Sequence, residues 1–161
     1  VVRFHFVLLF FILATTVVRA QEFTSLKTDS ANHISYLDRN EIPEGDSTQL
    51  KGRPIKIRYI ERISGSNIKI EVWDPVETDG DIISLYFNGT WVLKDHTLSK
   101  TKKTITIQTN PEKDNLLTVY AENMGGRPPN TIAITIEGED GKPKAAILRA
   151  TTGSCEAIRF R

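Results

Sequence analysis

One cysteine, one methionine and three histidines leave the chain little material for side-chain chemistry. Cys155 stands alone, so no intramolecular disulfide can form. Of the histidines, His5 and His33 lie near the start, and only His96 falls among the patterned segments. A Cys155–His96 pair would still need a third group to orient it, and none is evident. Phosphate-loop, dinucleotide-binding, paired-zinc-ligand and G-x-S-x-G patterns are also missing, so no catalysis is expected. No stretch after residue 20 approaches the roughly 20 apolar residues of a membrane span. No segment carries a convincing helical stripe.

The first twenty residues, VVRFHFVLLFFILATTVVRA, do have a pattern. Arg3 precedes a short apolar core, which gives way to small and polar residues ending at Ala20, as in a secretory signal peptide cleaved near Ala20. Without them, 141 residues remain, with 19 Lys+Arg against 20 Asp+Glu. Such balance argues against a nucleic-acid footprint. A chain of this size builds one good core. The expected domains are therefore a signal peptide at 1–20, a polar arm or linker at 21–52 and a β-sandwich domain at 53–161.

From residue 53 onward, apolar residues recur with period two. Nine segments read as strands: 55–62, 68–73, 82–87, 90–93, 104–109, 116–122, 131–137, 145–150 and 156–160. Asn88-Gly89 between two of them is the strongest short hairpin signal, and Asp140-Gly141 repeats it. The pattern predicts an all-β fold, an antiparallel two-sheet sandwich of immunoglobulin-like or jelly-roll-like form with about eight or nine strands.

Two stretches, DGDIISLYFNG and AENMGGRPPNT, resemble those of a small secreted β-sandwich domain of Gram-negative bacterial proteins, a family without established activity. The resemblance covers about 68–160 and implies an exported, non-catalytic domain. In such bacteria Asp29-Ser30-Ala31 matches an O-glycan acceptor motif.

Two groups of residues invite a site. In the strand phase that sends Ile68, Ile70 and Val72 inward, Trp73 points outward; by the same rule Tyr86 and Tyr120 oppose their own apolar rows. Trp73, Tyr86 and Tyr120 are therefore expected to share an outer face, where flat aromatics beside carboxylates suit sugar rings. The plainer alternative is cross-strand packing. The second group is the acidic connection WDPVETDGD, with Asp74, Glu77, Asp79 and Asp81 inside eight positions. An EF-hand register fails, because its first ligand position falls on Pro75 and its last on Tyr86. A different oxygen cage for a structural calcium stands against a hydrated turn started by Asp74-Pro75 and closed by Asp79-Gly80. The lysines of KDHTLSKTKK lack interleaved aromatics and read as a solvated loop, and the Asn88-Gly89-Thr90 sequon is incidental.

These features predict a periplasmic, secreted or cell-surface module with no catalytic residues. Its expected partner is a polysaccharide bound through the aromatics. The alternative is an envelope protein docked by sheet edges and the 122–131 loop.

Overall fold

The computed structural model describes residues 35–37, 48–63, 65–137 and 141–161. The leader at 1–20, the Asp29-Ser30-Ala31 motif, His33, Asp140 and most of the 21–52 segment lie outside the described residues. All nine periodic segments form strands, and two short strands precede them. In chain order they are β1 (Ser35–Tyr36), β2 (Gln49–Leu50), β3 (Arg53–Glu61), β4 (Asn67–Trp73), β5 (Ile82–Phe87), β6 (Thr90–Thr97), β7 (Lys103–Gln108), β8 (Asn115–Ala121), β9 (Asn130–Glu137), β10 (Pro143–Ala150) and β11 (Cys155–Phe160). Among the described residues no helix is long and apolar enough to cross a membrane.

The strands make two sheets, ordered β1-β10-β9-β4-β7 and β2-β3-β11-β8-β5-β6. Alternate apolar residues explain their packing. Ile68, Ile70 and Val72 of β4 and Ile132, Ile134 and Ile136 of β9 join one core with Ile83, Leu85 and Phe87 of β5 and Leu117 and Val119 of β8. Phe160 of β11 completes it, its ring 6.5 Å from that of Phe87. Antiparallel pairing dominates, as the alternation implies. Two pairs are parallel, β3 with β11 and β1 with β10. The two short strands fall within the stretch read as a polar arm, and Leu50 of β2 is buried.

The sheet margins differ in how they end. β1 and β2 are two residues long. β6 is broken by register irregularities against β5 and carries Asp95 at φ 48°. The margin of β10 beyond β1 is closed by side chains: the Tyr59 hydroxyl donates to the Ile147 carbonyl at 3.0 Å, and the Arg149 amide donates to Glu156 Oε2 at 2.7 Å. Such blunting is how natural sheets avoid accidental pairing.

Candidate functional site

Three connections meet at the end of the sandwich where β4 passes to β5. The Asp74 amide donates to the Ser99 carbonyl and the Leu98 amide to the Asp81 carbonyl, each at 2.8 Å, which ties the 98–102 turn to the acidic loop. The Gly126 amide donates to the Asp79 carbonyl at 3.0 Å, which brings in the loop after β8.

Each carboxylate of the acidic loop has its own task. Asp74 is buried, and its Oδ1 accepts the amides of Val76 at 2.9 Å and Glu77 at 3.0 Å, a side-chain-capped turn of the kind Asp favours. Glu77 forms an exposed ion pair with Arg127. Only Asp79 and Asp81 meet. Asp79 Oδ2 accepts the Arg127 amide, and the Asp81 carboxylate accepts the Thr131 amide. The Oδ1 atoms of both residues are buried without a hydrogen-bond partner. Burial first, and then the negative charge of Asp79, push the Asp81 carboxyl up to about 6. Below that pH a proton on Asp81 can be shared with Asp79.

Of the two readings of this loop, a calcium cage and a turn, the turn is supported at Asp74, whose Oδ1 caps it. Among the described residues no three His, Cys, Asp or Glu side chains group so as to hold a metal ion. The Asp79 and Asp81 side chains alone supply fewer than the 6–8 oxygens that calcium takes.

The loop facing this pair, 122–131, is exposed from Gly125 to Pro129. Its base is nonetheless fixed from both sides. Asn123 accepts the Ile82 amide at 2.7 Å through Oδ1 and donates to the Gly80 carbonyl at 2.8 Å through Nδ2. At the other end Asn130 is fully buried, and its Nδ2 reaches the Ile82 carbonyl at 3.5 Å. Gly125 sits at φ 50°, and a Cβ there would collide with the Asp81 carboxylate and lie 2.9 Å from Asp79 Oδ1. Glycine is therefore required both for the backbone and for the space.

The aromatics separate. Trp73 is on β4 of the five-stranded sheet, whereas Tyr86 on β5 and Tyr120 on β8 belong to the six-stranded sheet. The expectation of one shared face is corrected: strand phase was right for each residue, but the phase carries no information on which sheet a strand joins. Lys102 Nζ lies 4.5 Å from the Trp73 ring centroid. On the six-stranded sheet Trp91, which the strand phase had not singled out, stands between the two tyrosines, 5.0 Å from Tyr86 and 5.7 Å from Tyr120 in edge-on contacts. The Asn88-Gly89 hairpin contains the signal for it, since a two-residue turn pairs Tyr86 with Trp91.

Cations also cover this cluster. Arg53 lies 3.8 Å from the Tyr120 centroid and donates to the Ala121 carbonyl, and Lys51 lies 5.0 Å from the Trp91 centroid. Tyr120, though it points outward, is only 7% exposed, packed with Leu50 and Cys155. Cys155 itself is fully buried, and burial pushes its thiol up to about 11, the opposite of an activated nucleophile. His96 is half-buried on β6, its Nε2 without a hydrogen-bond partner, and burial and then Lys103 lower its pKa.

No family model, curated protein or solved structure matches the chain.

Proposed function

We infer that the protein is an exported, non-catalytic β-sandwich module that docks a protein partner at the cell envelope, using the 122–131 loop. One observation carries this reading: residues 125–129 are exposed, yet the loop is fixed by hydrogen bonds to Asp79, Gly80, Asp81 and Ile82. A surface that is ordered before its partner arrives loses less entropy on binding. Arg127, Pro128 and Pro129 then form the contact tip, since exposed loops on a rigid scaffold are the usual place for recognition. The leader-like residues 1–20 support export.

Carbohydrate binding, the first expectation from sequence, becomes the second reading, favoured by the half-exposed Tyr86 and Trp91 on the six-stranded sheet. Against it, Lys51 stands over the Trp91 ring and Lys102 over that of Trp73. A sugar would have to displace these side chains before stacking.

The test is a photo-cross-linking amino acid placed at Arg127, and at Lys56 as an exposed control, in envelope preparations of the native host. A discrete protein adduct formed from 127 and not from 56 is the expected result. Equal labelling at both positions, together with a tryptophan fluorescence shift on adding envelope polysaccharide, would favour the sugar reading instead.

A further inference from the structure

Among the described residues the outer margin of β7 has no strand partner. In the β4–β7 ladder Ile68 pairs with Ile107 and Ile70 with Ile105, and the Thr109 amide donates to the Ser66 carbonyl at 2.8 Å. Hydrogen-bonded and non-bonded pairs alternate along an antiparallel ladder. The odd residues of β7 therefore turn their amides and carbonyls toward β4. Those of Thr104, Thr106 and Gln108 turn away, and no strand pairs with that side among the described residues. All three residues are exposed.

This margin has none of the devices found on the others. It is six residues long, has no register break against β4, and contains no proline. Its side chains are prepared on both faces. Ile105 is half-buried against the core, so a neighbouring strand could extend the apolar row of Ile105 and Ile107. Thr104, Thr106 and Gln108 offer a polar row on the outer face. The charge at its start is one-sided. Lys103 is exposed, and no carboxylate among the described residues pairs with it. Its neighbour Lys102 is held by Glu71 at 3.1 Å.

We propose that β7 accepts an extended segment of a partner protein as an added strand, one whose side chains alternate apolar and polar and which carries acidic residues where it meets Lys103. The inference rests on the protein-docking reading and names a second contact on the same domain. Main-chain hydrogen bonds to Thr104, Thr106 and Gln108 supply the affinity, as in other strand-addition complexes. The apolar row and the acidic end set the register. A second copy of this chain is disfavoured, because self-pairing adds two unpaired lysines and no carboxylate.

The probe is a short synthetic peptide alternating valine and threonine, with two glutamates at the end that meets Lys103, added at millimolar concentration to the isotope-labelled protein. The expected result is slowed amide exchange at Thr104, Thr106 and Gln108, with the odd-numbered amides already protected in the free protein. Replacing the glutamates by lysine should weaken binding about two- to fivefold, the worth of exposed charge pairs, and Lys103→Glu should reverse that preference. Thr106→Pro removes one outward amide and no bond to β4; it should abolish binding, while Thr106→Val retains it. The proposal is overturned if none of the three amides is protected, if Thr106→Pro binds as well as wild type, or if light scattering shows a dimer formed through β7. Loss of peptide binding with Arg127 adducts intact would remove this inference and leave the loop as the docking surface. Loss of the adducts alone would do the reverse.

Discussion

Gly125→Ala places a methyl group where the structure has no room for one. At φ 50° the new side chain adopts a left-handed conformation, which costs about 1–2 kcal/mol for a residue other than glycine. Its Cβ also meets the Asp81 carboxylate, which is packed beside Asp79 and cannot swing freely. Crowding of this kind adds about 1–3 kcal/mol. Against this, alanine lowers the entropy of the unfolded chain, worth about 0.4–1 kcal/mol in the opposite direction. The net loss is about 2–4 kcal/mol, or about 6–15 °C in melting temperature for a domain of this size. Gly126 supplies the control. It lacks a positive φ, and a Cβ there would meet nothing nearer than 3.6 Å. Gly126→Ala should therefore melt within about 2 °C of wild type, the ordinary range for a substitution that meets no special feature. Thermal denaturation followed by circular dichroism reads both. Equal melting temperatures for Gly125→Ala and Gly126→Ala would refute the close approach of the loop to the carboxyl pair.

Further outcomes follow from the same contacts. The folded-state pKa of Asp81, about 6, lies above its ordinary 3.8, so the folded state holds this proton more tightly. Its contribution to stability is present in acid and lost as pH climbs from about 3.8 through about 6. Melting curves from pH 4.5 to 7.5 should show wild type losing stability relative to Asp81→Asn over that interval; parallel curves would contradict the pairing. Millimolar Ca²⁺ should leave the melting temperature of metal-free protein unchanged, and a rise absent in Asp79→Ala would restore the calcium cage. Ile134→Ala, in the core shared by the two sheets, should cost about 2–5 kcal/mol in urea denaturation. Leu50→Ala should be milder, at about 2 kcal/mol, because Leu50 caps only the smaller cluster with Tyr120 and Cys155; no measurable loss would show that β2 contributes nothing to the fold.

The long strands were legible where one face is buried, as in β3, β4 and β7, because the alternation of apolar residues reports that face directly; β8 to β11 are buried at most positions on both faces and were read from their apolar runs and bounding turns. β6 runs on to Thr97 although its pattern stops at Leu93, since Asp95 leaves the extended conformation and shifts the phase. β1 and β2 could not be read, because two residues make no period. Topology was also hidden. The parallel β3–β11 pair and the separation of Trp73 from Tyr86 and Tyr120 depend on contacts across long stretches of sequence, which the phase of a single strand does not encode. Tyr120 shows a further limit: it points outward as its phase requires, but the β2 turn brings Leu50, Lys51 and Arg53 over it. In the acidic loop the turn role of Asp74 was legible from Asp-Pro, whereas the pairing of Asp79 with the 122–131 loop joins residues 48 apart in sequence.

Docking by the 122–131 loop requires a surface that is exposed and yet fixed before a partner arrives. Backbone ¹⁵N relaxation of the free protein measures this directly at Gly125, Gly126 and Arg127. If the Asp79 and Asn123 hydrogen bonds hold the loop, its order parameters should match the strands at about 0.85; values below about 0.6 at these three amides would show a flexible loop and contradict a preformed docking surface.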